Sequence, residues 1–293
     1  MTGGGCRVAL LVHKDRAEAA EVASGIIGAL QAEGHEVVLP REDAAVVGLA
    51  GLGVPEGELV AGGLDVAVAI GGDGTMLRTV ALVAEAGVPV LGVNVGQLGY
   101  LTEVEPADAL AAIEKVLAGE SGIEERMRIA VSVESAGGGS PELASLPLAL
   151  NEAVLEKTPM GHTVRIAVLF DGDFFTTYAT DGLIVASPTG STAYSFSARG
   201  PILDPDLRAL VLTPVSPHML FDRSMVLSPD REIRLEVLGH RPATLSLDGR
   251  NVGLLHEGDA LVCTASPLAA RIVTLRPRDF HRILKAKFGL ADR

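Results

Sequence analysis

The stretch Leu64 to Arg78, LDVAVAIGGDGTMLR, decides how the rest of the chain is read. Val66 to Ile70 is an unbroken apolar run, of a length that suits a strand buried on both faces. It ends in Gly71-Gly72-Asp73-Gly74-Thr75, after which the periodicity becomes that of a helix. A strand that stops on glycines and a carboxylate and then enters a helix presents polar groups on a buried platform. Gly71, Gly72 and Gly74 lack the Cβ atoms that would hold a ligand's phosphates off the backbone, and amides at the head of the helix face whatever binds. Asp73 is the odd member, because a carboxylate repels phosphate; it suits a base for a hydroxyl, or a metal ligand. Taken alone, GGDG also fits an ordinary tight turn. The patterns G-x-G-x-x-G and G-x-x-x-x-G-K-[ST] are both absent here, so the usual dinucleotide and Walker readings do not apply.

Working outward, Arg7 to Val12 reads as a strand, and Asp15 as the N-cap of a helix over Arg16 to Glu33 that Gly34 stops. A strand from His35 to Leu39 closes at Pro40, and a weaker helix spans Asp43 to Leu49. The helix after GGDG is expected from Thr75 to Ala86, and the next strand from Val88 to Val93, running into the loop NVGQLGYL. This alternation calls for a parallel sheet with helices on both faces, which binds ligands beyond the carboxyl ends of its strands, where Asp73 and Asn94 both fall. Pro106 opens a helix over Ala107 to Leu117, ended by Gly119. The pattern then turns to strands: Arg128–Val133, Leu148–Leu155, Val164–Phe170, Phe174–Tyr178, Leu183–Ala186, Ala209–Leu212, Ile233–Val237, Ala243–Leu247 and Ala260–Thr264. Asp171-Gly172 marks a hairpin, and AGGGS at Ala136 to Ser140 a mobile loop. The fold class expected is therefore an N-terminal doubly wound α/β domain (residues 1–122), a β-rich, sandwich-like domain (123–270), and a C-terminal segment (271–293) whose basic helix packs back on the first domain.

At 293 residues and 48% hydrophobic composition, the chain has material for two cores. No apolar run approaches the length of a membrane span, and the apolar run near the N-terminus reads as a first strand rather than a leader. The formal net charge of −13 disfavours nucleic acid and acidic membrane surfaces as partners. Backbone amides and a divalent cation can still attract a phosphorylated substrate locally. Cys6 and Cys263 lack metal-ligand spacing to the seven histidines and read as reduced thiols, implying a cytoplasmic protein.

Further polar clusters interrupt apolar runs. Asn151-Glu152 breaks LPLALNEAVLEK inside an expected strand, where an amide beside a carboxylate suits two ribose hydroxyls, or else an exposed strand end. From Thr180-Asp181-Gly182 to Ser197, an apolar strand is flanked by an acid and by a hydroxyl-rich turn; Ser191 or Thr192 can cap the helix that Ala193 begins, and the surplus hydroxyls suit a ligand rich in acceptors. The glycines of Asn94 to Leu101 fit simple loop breakers, Leu247-Asp248-Gly249-Arg250 fits a hairpin turn, and His162 fits a loop histidine.

Assembled in order, GGDGT (71–75), NVGQLGYL (94–101), NE (151–152), TDG (180–182) and SPTGSTAYSFSARGPIL (187–203) make the chain resemble the NAD kinase family over nearly its whole length. GGDGT is weakly specific, being shared with lipid kinases and, as GGDGS, with phosphofructokinases; NE together with PTGSTAYS is specific. The resemblance implies phosphoryl transfer from ATP or polyphosphate, with a divalent cation such as Mg2+, to the 2′-hydroxyl of the adenosine ribose of NAD, and a homodimer or homotetramer. It implies Asp73 as the general base, Gly72 and Gly74 against phosphates, and Arg78 on a phosphate oxygen, with Asn94 in the adjoining loop. Asn151 and Glu152 would hold ribose hydroxyls. Asp181 and the segment Thr192, Ala193, Tyr194, Ser195, Phe196 and Ser197 would bind the nicotinamide and adenine halves, and His162 would be a further substrate contact. Two departures stand out: Arg199 replaces the first Gly of a common Ala-Gly-Gly-Pro, and Arg250 replaces a common glutamine; either offers a phosphate contact or tunes the choice between NAD and NADH. A lipid or sugar kinase on the same GGDG platform, and a sensor that binds NAD(H) without turnover, are the alternative readings.

Overall fold

The computed structural model describes residues 5–97, 99–137, 146–158, 162–276 and 279–290. The chain divides into two compact units, one formed by Met1–Glu125 with Ala270–Arg293 and the other by Arg126–Ala269.

The first unit is the α/β unit expected. Strands β1 (Arg7–Val12), β2 (Glu36–Pro40), β3 (Gly53–Val54), β4 (Val66–Gly71), β5 (Val90–Asn94), β6 (Gly122–Arg126) and β18 (Ala270–Thr274) form one sheet in the order β3-β2-β1-β4-β5-β18-β6. β4 is buried at every residue and pairs in parallel with β1 and β5, placing Ile70 beside Val12 and Gly71 beside Asn94. Helix α1 (Ala17–Ala32) buries Ala19, Ala23, Ile26, Ile27 and Leu30, one face at helical spacing, against the β1, β2 and β4 side chains. Strand order reverses between β1 and β4, so the carboxyl ends of these two strands flank the switch point where ligands of such sheets bind.

Several local expectations are corrected. α1 begins at Ala17 after Arg16, with no side-chain cap, because Asp15 lies one residue too early and its backbone N–H turns instead to His13 Nδ1 at 3.2 Å. Helix α2 spans Arg41–Val47 directly after Pro40, and left-handed Gly48 ends it. Helix α3 spans Asp73–Val83, two residues earlier than Thr75, so that Asp73 is itself the first helical residue. After a 3-10 turn at Pro106–Asp108, helix α4 runs over Ala109–Leu117. The returning strand β18, not read from sequence, pairs with β5 through Ile272 and Val90, and helix α6 (Phe280–Phe288) is capped by Asp279, which accepts the Arg282 N–H.

The second unit has two antiparallel sheets. One contains β7 (Ile129–Glu134), β9 (Val164–Phe170), β10 (Asp173–Thr180), β14 (Ile233–Leu238) and β17 (Ala260–Ala265) in the order β10-β9-β14-β17-β7. The other contains β8 (Glu152–Lys157), β11 (Gly182–Ala186), β12 (Leu210–Val215), β13 (Met225–Leu227), β15 (Ala243–Leu247) and β16 (Arg250–Leu255) in the order β13-β12-β11-β8-β15-β16. Their inner faces share one core that includes Ile166, Val168, Leu235 and Leu261 from the first sheet and Leu155, Leu183, Leu212 and Leu245 from the second. β8 starts at Glu152 rather than Leu148, because Ala149 bridges to Ile129 and the chain turns before joining the second sheet. The Asp171-Gly172 hairpin forms, both residues taking positive φ. Of the AGGGS loop only Ala136 and Gly137, and of the C-terminal segment only positions 271–276 and 279–290, fall within the described residues. Among the described residues no helix is long and apolar enough to cross a membrane.

Candidate active site

In the first unit, a cavity of about 390 Å³ lies at the ends of β1 and β4, lined by residues including Lys14, Arg16, Gly72, Asp73, Gly74 and Arg78. The Asp73 carboxylate is held by the loop after β5: Oδ2 accepts the Tyr100 N–H and Oδ1 the Leu101 N–H, both at 2.9 Å. Each oxygen keeps a lone pair free to accept a further proton. The loop can come this close because residue 99 is glycine; a Cβ there would stand 2.3 Å from Asp73 Oδ1. The three motif glycines divide in role. A Cβ on Gly71 would meet Thr75 Oγ1 at 2.3 Å, so packing alone already requires glycine there. Gly72 and Gly74 face open space.

Arg78 does not stand free in the cavity. Its Nη1 and Nη2 reach Asp43 Oδ2 and Oδ1 at 3.0 and 2.7 Å, and Nη2 also reaches Glu56 Oε1 at 3.0 Å. Asp43 is fully buried and also accepts the Val12 N–H at 2.7 Å, tying the end of β1 to α3. Burial opposes the guanidinium's charge, but the hydrogen bonds and charges of Asp43 and then Glu56 outweigh it and raise the Arg78 pKa. These bonds use three of the five guanidinium N–H donors, so a phosphate reaches Arg78 at the remaining donors or by displacing a carboxylate. Arg16 donates to the Val95 carbonyl, and Lys14 pairs with Glu42. Asn94 closes β5 and is buried, its amide at 3.5 Å from the Gly96 carbonyl and its oxygen at 3.4 Å from Thr102 Oγ1. Lys14 and Arg16 were missed from sequence; the available signal was the polar run His13-Lys14-Asp15-Arg16 following a buried parallel strand.

In the second unit, the Asp248 carboxylate holds the start of β8, accepting the N–H groups of Leu150, Asn151 and Glu152 at 2.8, 2.7 and 3.1 Å. Asp248 and Gly249 both take positive φ, so the hairpin read from sequence is present, but its acid also anchors the Asn151-Glu152 pair. Glu152 is buried, and its Oε2 has no hydrogen-bond partner among the described residues. Burial, and then the Asp248 charge, push its pKa up to about 8 against the opposing Tyr194 backbone N–H, so the carboxyl is mostly protonated at pH 7. A buried acid with one unsatisfied oxygen is an offer to a polar ligand.

The hydroxyl-rich turn is used differently from the expectation. Ser187 Oγ donates to the Leu150 carbonyl at 2.5 Å, Ser191 Oγ to that of Pro188 at 2.6 Å, and Ser195 Oγ lies 2.9 Å from Thr213 Oγ1; all three serines are fully buried. These hydroxyls pin a 3-10 turn (Thr189–Thr192) and helix α5 (Tyr194–Ser197) to the sheet, and neither is capped by a side chain. Ser195, expected to contact the ligand, has its hydroxyl engaged with Thr213 here. Thr192 Oγ1 is 3.3 Å from the Thr189 carbonyl, Ala193 is half-buried, and Tyr194, Phe196 and Ser197 are exposed. Asp181 and Tyr194 share a second cavity, about 440 Å³, in which Lys157 Nζ pairs with Asp181 Oδ1 at 2.8 Å. Arg250 opens β16 as an exposed residue, and His162 is exposed two residues before β9. Among the described residues, no three His, Cys, Asp or Glu side chains gather as a metal site.

Family models match both parts of the chain: the ATP-NAD kinase N-terminal domain over residues 57–121 and the ATP-NAD kinase C-terminal domain over residues 150–275. The NAD kinase of Moorella thermoacetica is 39% identical over 285 residues, covering 96% of this chain and 88% of the relative. That of Symbiobacterium thermophilum is 39% identical over 284 residues, covering 97% and 99%. Among solved structures, an NAD kinase from Archaeoglobus fulgidus in complex with ATP aligns with a TM-score of 0.73 at 26% identity, over 98% of this chain and all of that one. A yeast NADH kinase complexed with NADH aligns with a TM-score of 0.88 over 99% of this chain and 89% of that one; at 24% identity this likeness concerns the fold alone.

Proposed function

The chain belongs to the NAD kinase family, and from that premise we propose that it transfers a phosphoryl group from ATP or polyphosphate to the 2′-hydroxyl of the adenosine ribose of NAD, forming NADP. The observation that carries the reading is the Asp73 carboxylate, set at the first turn of α3 and aimed by two amides. A ribose hydroxyl is a poor nucleophile at neutral pH, so a base within hydrogen-bond reach and a positioned donor are what the reaction needs. Asp73 accepts the 2′-hydroxyl proton as that oxygen bonds to the terminal phosphorus. The bond from phosphorus to the bridging oxygen breaks, and its electron pair leaves with the shortened donor. Gly72 and Gly74 leave room for phosphates against the α3 amides.

In the second unit, Asn151 and the protonated Glu152 engage ribose hydroxyls, while Asp181, Tyr194 and their neighbours in α5 receive the bases. A divalent cation such as Mg2+ would arrive with the phosphates of the donor and, when bound, would offset charge developing on their oxygens. A homodimer or homotetramer in a reducing cytoplasm completes the proposal, consistent with free Cys6 and Cys263. The test is incubation with NAD, Mg2+ and a panel of donors, with product read by an NADP-specific dehydrogenase. No signal with any donor overturns the reading.

A further inference from the structure

Two cations that line the Asp73 cavity are each neutralised by a glutamate borne on the segment after β2. Lys14 pairs with Glu42 of α2, and Arg78 with Glu56 of the 3-10 turn Glu56–Glu58. The glutamates are exposed, with side-chain accessibilities of 71% and 47%, whereas Asp43, the other partner of Arg78, is at 0% and grips both guanidinium Nη atoms. Arg78 is thus held in place by one acid and merely covered by the other. Exposed pairs of the second kind are weak and yield to a better anion.

The charge balance gives the exchange a purpose. Lys14, Arg16 and Arg78 line the cavity against Asp15 and Asp73, and Asp43 behind Arg78 brings cations and acids level; with Glu42 and Glu56 in place the acids are in excess by two. The hydrogen bond from Lys14, then its charge, keep the Glu42 carboxyl below its usual range, with Arg78 adding to the effect, so Glu42 competes as a full anion at neutral pH.

Resting on the kinase reading, we propose that Glu42 and Glu56 are placeholders for the anionic oxygens of a phosphoanhydride donor, which enters the cavity by taking Lys14 and Arg78 from them while Asp43 keeps Arg78 in position. An anion with several phosphates replaces both glutamates at once, whereas orthophosphate replaces one pair with one pair. The cavity therefore discriminates in favour of polyphosphates over single anions.

The test uses the full chain, with Glu42→Gln, Glu56→Gln and the double variant. Calorimetry reads the binding of Mg2+-tripolyphosphate, and steady-state kinetics reads KM for ATP. Each single substitution should tighten tripolyphosphate and lower the ATP KM by about two- to fivefold, the range that an exposed ion pair commands, with the NAD KM within about twofold. In the double variant tripolyphosphate, which displaces both glutamates, should gain more than orthophosphate, which displaces one. In a Lys14→Gln background, Glu42→Gln should no longer tighten tripolyphosphate. Unchanged or weaker tripolyphosphate binding in the double variant overturns the proposal. So does a gain from Glu42→Gln that survives the loss of Lys14, because the overall field would then be the cause. A gain for ATP without one for tripolyphosphate overturns it as well. If no donor supports turnover in the parent chain, the kinase reading fails, and the tripolyphosphate measurement still decides the exchange.

Discussion

Replacing Glu152 with glutamine should change how the stability of this protein depends on pH. The Glu152 carboxyl is pushed up to about 8 from an ordinary value of 4.5, so the folded chain keeps a proton that the unfolded chain releases in between. The sign follows from linkage: below pH 4.5 both states hold the proton, between 4.5 and 8 the folded state alone holds it, and above 8 neither does. Stability is thus fully present below the unfolded value and is lost as pH rises through the folded one. At 1.36 kcal/mol per pKa unit, the loss amounts to roughly 4 kcal/mol between pH 5 and pH 8.5. Glutamine is nearly isosteric and does not titrate. It adds a pH-independent cost of roughly 1–3 kcal/mol, since its amide must find partners beside an oxygen site already lacking one. Urea denaturation of both proteins at half-unit steps from pH 5 to 9 should show the glutamine variant gaining on the parent by about 4 kcal/mol across the window. Two stability curves that run parallel through it would refute the protonated, buried carboxyl, and with it the hydrogen-bond donor assigned to this position.

Substitutions at three further positions probe the arrangement. Asp73→Asn should reduce turnover by about 10²–10⁴-fold while NAD binding stays within a few-fold, as steady-state kinetics and calorimetry will show; an equally active variant removes the base. Its amide can accept only one of the Tyr100 and Leu101 N–H groups, so hydrogen exchange at one of them should quicken. Gly99→Ala places a Cβ 2.3 Å from Asp73 Oδ1, and a displacement of the carboxylate near 1 Å should lower kcat by up to about 10²-fold; unchanged kcat would show that the loop gives way instead. Asp248→Ala strips the acceptor from three backbone N–H groups and should cost at least about 3 kcal/mol in urea denaturation, and Asp248→Asn, which tolerates the positive φ and keeps one acceptor, should cost less.

Much of the first unit was legible because its signals are local. A run such as Val66 to Ile70 has the length of a strand buried on both faces, and left-handed glycines at 34, 87 and 119 mark helix ends. The start of α3 was placed late because Gly72 and Gly74 disfavour helix; what brings Asp73 into the first turn is the pair of amides from a loop 27 and 28 residues away. The serines at 187, 191 and 195 were counted correctly as too many for capping. Which of them point inward depends on the strands beneath them, so the surplus was credited to a ligand.

By itself, the sequence determined the alternation of elements, the family and the identities of the polar residues at the strand ends, since each of these is written in periodicity or in contiguous motifs. Tertiary structure alone decided what those residues touch. Asp248 reaches amides nearly a hundred residues before it, Arg78 is claimed by Asp43 and Glu56, and β18 returns from the far end of the chain to pair with β5. The reason is physical: a carboxylate or a guanidinium carries the same charge wherever it stands, and only the approach of distant segments sets how much water it loses and which partner replaces that water.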